Sequence, residues 1–136
     1  MKTKEMIARE EALGKRIESY WDARSPAFSD VRRRELEGPD AALWQQLIEC
    51  HLPQGRPLRV LDVGTGAGFF AVLLTRMGHE VTGIDMSAGM IDEAQKNLAA
   101  FGCRADLRKM NAQQLDFSDE FFDVVISRNL TWTLPD

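Results

Sequence analysis

Apolar residues recur at helical spacing through the first third of the chain, then give way to short β-branched runs closed by glycine. Over residues 4–21, Met6, Leu13, Ile17 and Tyr20 fall near one face of a helix among many charges, with Gly14 in the middle. Ser25-Pro26 predicts the end of that helix, because the residue before a proline is pushed out of helical geometry. The polar stretch 29–37 predicts a short second helix, on which Arg32, Arg33 and Arg34 read as a solvated face rather than a binding patch. Gly38-Pro39-Asp40 is turn chemistry at a helix start, and Leu43, Trp44, Leu47 and Ile48 mark the buried stripe of a further helix that ends by Pro53.

Past Pro57 the period changes. Residues 59–63 form a short apolar run closing in glycines, followed by an apolar helical segment over 69–77, which reads as strand, tight turn, helix. Gly78 suits a helix C-cap, 81–85 a second strand, and Ser87 the N-cap of a helix with Ile91, Ala94, Leu98 and Phe101 on one face, ended by Gly102. A third strand is predicted over 105–110 and a fourth over 122–127, apolar enough to be buried on both faces. Strands alternating with helices predict an α/β fold with a Rossmann-like, doubly wound parallel sheet. The helical residues 1–56 read as an N-terminal cap on the sheet portion, residues 57–136.

Composition narrows the classes without choosing among them. The hydrophobic fraction of 44% and charged fraction of 28% over 136 residues fit one globular domain. A net charge of −4, from 21 acidic and 17 basic residues, gives no field for holding a polyanion, so no nucleic-acid partner is expected. No apolar run approaches membrane-spanning length and the start is charged rather than signal-like, so the expectation is a cytoplasmic protein with no membrane partner. Cys50 and Cys103 stand far apart outside any CxxC pair and read as reduced thiols, with a single disulfide left open; no His/Cys/Asp/Glu cluster has metal-ligand spacing.

The candidate chemistry lies in Val60-Leu61-Asp62-Val63-Gly64-Thr65-Gly66-Ala67-Gly68, where a strand hands over to a helix. Gly64, Gly66 and Gly68 let the chain turn sharply and let bare backbone N–H groups approach a ligand lying across the loop. Asp85 ends the next strand, so a parallel sheet brings its carboxylate to the same edge, where it can accept both hydroxyls of a ribose. The bland alternative is a tight turn beside a helix-capping acid. The spacing is GxGxG, with Phe69 where a dinucleotide fingerprint wants glycine or alanine, which disfavours an NAD-dependent Rossmann oxidoreductase and favours a ligand without phosphates.

From about residue 58 to 127 these motifs resemble the class I S-adenosylmethionine-dependent methyltransferases, particularly the broad small-molecule group called type 11 or UbiE-like. The resemblance implies S-adenosylmethionine as cofactor, S-adenosylhomocysteine as product and a small-molecule methyl acceptor. It places Asp62, Gly64, Thr65, Gly66 and Gly68 under the cofactor's methionine part, with Asp62 positioning the loop or the ammonium group. By the same resemblance Asp85 holds the ribose, Met86 packs on adenine, and Asn111-Ala112-Gln113 reads the adenine edge, with asparagine where the family commonly has aspartate. Ser127 and Arg128, at the end of the fourth strand, border cofactor and acceptor. Tyr20 and Trp21 are aromatics that could reach the cofactor's carboxylate end, with a core role as the alternative.

Other residues carry weaker expectations. Phe69, Phe70 and Trp132 are candidate apolar walls, and Asn129, Thr131 and Trp132 lie where relatives contact the acceptor. His51 and His79 read as surface residues rather than bases. The family's complete sheet has more strands than the four legible here, so the chain reads as C-terminally incomplete. An unpaired edge over 124–126 would then favour self-association. A non-catalytic nucleoside-binding module is the second functional reading.

Overall fold

The computed structural model describes residues 2–112, 115–118 and 121–128. Its elements run α1 (Lys4–Glu37), α2 (Asp40–His51), β1 (Arg59–Val63), α3 (Phe69–Arg76), β2 (Glu80–Asp85), α4 (Ala88–Ala100), β3 (Asp106–Lys109) and β4 (Val124–Ser127). The strands form one parallel sheet in the order β3-β2-β1-β4. The fold is α/β and Rossmann-like, as the alternation of periods predicts.

Glycine and serine set the boundaries. Gly78 and Gly102 take φ of +94° and +68° where α3 and α4 end, and Ser87 Oγ accepts from Met90 N at 3.1 Å at the start of α4. The core is built on β1, β2 and α3: Leu58, Val60, Val72, Leu73, Leu74 and Val81 are all buried. Each such side chain contributes roughly 1.5–3 kcal/mol relative to exposure. Leu36 from α1 and Ile48 from α2 join this core, so the helical segment and the sheet share one interior.

Three sequence expectations need correction. Proline does not end the first helix: α1 continues through Pro26 to Glu37 and absorbs the predicted second helix. A proline has no N–H to give to the carbonyl four residues earlier. Here that carbonyl, on Asp22, accepts instead from the hydroxyl of the buried Ser25 at 3.0 Å. In α2 the expected buried stripe is half right, since Ile48 is buried and Trp44 packs on the core while Leu43 and Leu47 are exposed. Strand β4 is not buried on both faces either. It pairs with β1 alone among the described residues, and Val125 is 63% exposed.

No helix among the described residues is long and apolar enough to cross a membrane.

Candidate nucleoside-binding site

Parallel pairing puts the last residues of all four strands at one edge of the sheet, and that edge collects the polar groups. In the β1–α3 loop Gly64, Gly66 and Gly68 have φ of +72°, +55° and +89°, a region costly for any residue with a Cβ. Gly68 has a second constraint, because an added Cβ would lie 3.2 Å from the Cβ of Ala94 on α4. Close packing of the helices therefore occurs at Gly68. Phe69 turns instead into the core, edge-on to Trp44, beside Phe70.

The loop is tied to β2 by side chain and backbone together. Thr65 N donates to the Ile84 carbonyl at 2.8 Å, Thr65 Oγ1 donates to Asp62 Oδ2 at 2.7 Å, and Gly66 N donates to Asp85 Oδ2 at 2.9 Å. Gly83 makes room for this crossing: a Cβ there would meet Thr65 Oγ1 at 2.7 Å. Asp62 is buried, and loss of hydration pushes its carboxyl up to about 7 despite the hydrogen bond from Thr65, with the nearby Asp85 adding to the rise. Burial also raises Asp85, opposed by the N–H groups of Ser87 and Gly66. Asp85 Oδ1 accepts from Ser87 N at 3.0 Å. Each of its oxygens thus takes one backbone N–H, and a carboxylate oxygen can accept two donors.

The remaining strands deliver their ends beside this pair. Met110 N donates to the Asp85 carbonyl at 2.9 Å, so Asn111 and Ala112 follow directly from the residue bonded to Asp85. Ser127 stands opposite Val63, one residue before the glycine loop. Met86 is partly buried between Asp85 and the Ser87 cap. Arg128 is held by α1 and the aromatics: its Nη1 donates to Glu35 Oε2 at 3.1 Å, and its guanidinium lies over the rings of Trp44 and Phe69, the residue after Gly68. Tyr20 is half exposed, edge-on to Trp21 and under Arg24. Gln113, Asn129, Thr131 and Trp132 lie outside the described residues.

His51 and His79 hold local backbone. His79 Nδ1 accepts from Leu58 N at 3.1 Å, and His51 Nδ1 lies 2.8 Å from the Leu47 carbonyl. Among the described residues, no group of three or more His, Cys, Asp or Glu could hold a metal ion.

Helix α1 supplies residues that the sequence reading did not single out. Asp22 Oδ1 accepts from Ser87 Oγ at 2.5 Å and Gly89 N at 3.1 Å, which holds its carboxyl below the usual range. Phe28 stands over the loop, its ring edge 3.3 Å from where a Cβ of Gly66 would be. Lys109 at the end of β3 pairs with Glu18 at 2.5 Å. The continuous α1 thus lies across the carboxyl ends of the strands. The sequence offers no periodic signal for this, because Asp22 and Phe28 stand six positions apart, off any single helical face, and on either side of Ser25-Pro26.

Residues 60–136 match the family model described as a methyltransferase domain. The chain belongs to the class I S-adenosylmethionine-dependent methyltransferases. Within this methyltransferase family it is 39% identical over 137 aligned positions to the ubiquinone biosynthesis O-methyltransferase of Paramagnetospirillum magneticum, covering 97% of this chain and 53% of that one. It is also 39% identical over 80 positions to the phosphatidylethanolamine N-methyltransferase of Cereibacter sphaeroides, covering 57% of this chain and 39% of that one. The chain therefore spans about half the length, or less, of these curated relatives. Among solved structures, Haemonchus contortus phosphoethanolamine N-methyltransferase 1, in complex with phosphoethanolamine and S-adenosylhomocysteine, superposes with a TM-score of 0.71 at 23% identity over 93% of this chain and 27% of that one. At that identity the match establishes the fold.

Proposed function

We propose that this methyltransferase chain binds S-adenosylmethionine across the β1–α3 loop and serves methyl transfer to a small-molecule acceptor. The observation that carries the reading is the Asp85 carboxylate, 2.9 Å from the Gly66 N–H at the bend, with acceptor capacity left on both oxygens. The residues fit the cofactor's chemistry. Positive-φ glycines expose main-chain N–H groups to its methionine part, Asp85 accepts the ribose hydroxyls, and Met86 offers an apolar, polarizable surface to the adenine. Asn111 and Ala112, at the end of β3, supply an acceptor and a backbone N–H for the adenine edge.

Bound there, the cofactor supplies an electrophilic methyl group on a sulfonium, taken by the acceptor in an in-line displacement. The chain's own part is to hold the two partners aligned, which can supply roughly 7–11 kcal/mol of the barrier. Phe28, over the loop, and Ser127, at the end of β4, border that space. The relatives named above methylate at oxygen and at nitrogen, and this favours a small acceptor bearing one of those atoms. A cytoplasmic location is part of the same proposal, and the exposed β4 edge around Val125 suits self-association.

Titration calorimetry of the chain with S-adenosylmethionine, S-adenosylhomocysteine and NAD tests the reading. Binding of the two sulfur ligands without NAD is the expected result; preference for NAD overturns it. Light scattering tests the edge, where a monomer at high concentration would remove the self-association proposal.

A further inference from the structure

Apart from the groups already assigned, one buried polar side chain joins three elements. Asn97, on α4, is fully buried. Its Nδ2 donates to the Ala67 carbonyl of the glycine loop at 2.8 Å and to Ser29 Oγ of α1 at 3.0 Å. Its Oδ1 accepts from Arg33 Nε at 3.0 Å and Nη2 at 2.6 Å, also on α1. Both N–H groups and the oxygen are in use. A guanidinium only donates and a carbonyl only accepts, so these partners fix which end of the amide faces which.

The bond to Ala67 falls where the loop most needs one. The peptide between Ala67 and Gly68 turns on Ala67 ψ and Gly68 φ, and Gly68, at φ of +89°, has no Cβ to resist that rotation. Gly68 N donates to the Thr65 carbonyl at 2.9 Å, and Asn97 holds the carbonyl at the other end of the same peptide. Ser29 and Arg33 sit four residues apart on one face of α1, and both close on Asn97. The lock on the peptide is therefore complete only while α1 is docked.

We propose that Asn97 is a positioning residue for the cofactor: it locks the Ala67–Gly68 peptide in its binding orientation and, through Ser29 and Arg33, makes that lock depend on the docking of α1. The inference rests on the glycine loop being the cofactor cradle. Asn97→Asp is the informative change, since it keeps an acceptor for Arg33 but sets an anionic oxygen against the Ala67 carbonyl. Leu98→Ala, at the neighbouring buried position, is the control for lost stability alone.

Affinity for S-adenosylmethionine by calorimetry and the thermal midpoint are measured together on the 136-residue chain. Asn97→Asp is expected to lose on the order of 10-fold in affinity or more, while Leu98→Ala lowers the midpoint at least as far with a loss under about 3-fold. Ser29→Ala, which leaves the bond to Ala67 in place, falls between the two. Affinity that simply tracks the midpoint across the three variants overturns the proposal. If the unsubstituted chain binds no S-adenosylmethionine, the cofactor reading fails by itself, and the lock is judged by hydrogen exchange at the Gly68 amide. Faster exchange in Asn97→Asp than in Leu98→Ala supports it; equal exchange overturns it. Should Asn97→Asp not fold, Arg33→Gln takes its place, and an affinity equal to that of the unsubstituted chain counts against the proposal.

Discussion

At the carboxyl ends of the strands, Asp62, Thr65 and Asn97 are buried and hydrogen-bonded to one another or to the glycine loop, and buried Ser87 bonds Met90 N and Asp22, whereas at the amino ends the ionic contacts lie in solvent. The amino-end set centres on Asp123, whose carboxylate takes Arg59 N at 2.8 Å and both Nη atoms of Arg56 at 3.2–3.3 Å, with Arg56 largely exposed. Both ends pair charges with backbone. Only the carboxyl end removes them from water, where an unmatched group costs most and a matched one is most strictly oriented. Three positive-φ glycines and a carboxyl raised to about 7 are tolerated at that end because the core beneath it, Val60, Ile84 and α3, supplies the stability. The difference is what the cofactor site proposed at the carboxyl end requires.

The sharpest way to break this comparison is Asp85→Ala. It removes the acceptor for Gly66 N and Ser87 N together with the proposed grip on the ribose. Hydrogen bonds to a charged group are worth roughly 1.5–3 kcal/mol each, so affinity for S-adenosylmethionine should fall by about 100-fold or more. Calorimetry reads it directly. A loss under a few-fold would mean that the carboxyl end is only a well-packed turn.

Next in size is the pH response of Asp62. Its folded-state value lies above the unfolded one, so the folded chain holds a proton that the unfolded chain has released, and stability declines as pH rises from about 4 to about 7. Above that window the full penalty remains. Asp62→Asn keeps an oxygen for Thr65 Oγ1 and removes the titration. The unfolding midpoint of the variant should therefore lose less between pH 5 and pH 8, an interval of about 3 units, than that of the unsubstituted chain. Parallel midpoint curves would show that Asp62 is not held in a dry environment.

Much of this end was legible in the residues themselves. The β1–loop–α3 unit, Asp85 at the end of β2 and the Ser87 cap depend on neighbours close in sequence, and they stand where period and glycine spacing place them. Pro26 misled because its missing donor is replaced by one hydroxyl, Ser25 Oγ, a substitution that propensity does not weigh. Asn97 was invisible for a different reason: its partners lie 30, 64 and 68 positions away, and an asparagine on a helix carries no mark of burial. The outward turn of Val125 reflects the sheet order, in which β4 has a single described neighbour, and no local pattern encodes that.

A smaller effect should come from Asp22→Ala. Asp22 reinforces the first turn of α4 through Ser87 Oγ and Gly89 N while tying α1 across it. Losing a cap of this kind costs about 1 kcal/mol, and the side chain's exposure keeps the figure from rising further. The contribution is present above the unfolded carboxyl value and is lost as pH falls through the lower folded one. Denaturant titrations at pH 7 and pH 3, a gap of about 4 units, should therefore show a larger difference between the variant and the unsubstituted chain at the first pH than at the second.

Least should follow from Asp123→Asn at the amino end. Arg56 and the Arg59 N–H hold the Asp123 carboxyl below its usual range, so its stabilising effect likewise fades as acid protonates it. Exposed pairs of this kind gain little in water and are weakened by salt. Asparagine still accepts from Arg59 N, so the midpoint should shift less than for Asp22→Ala, and the shift should shrink further in high salt. Affinity for S-adenosylmethionine should stay unchanged, because Asp123 stands at the opposite end of the strands from the glycine loop. A loss of affinity here comparable to that of Asp85→Ala would erase the distinction between the two ends.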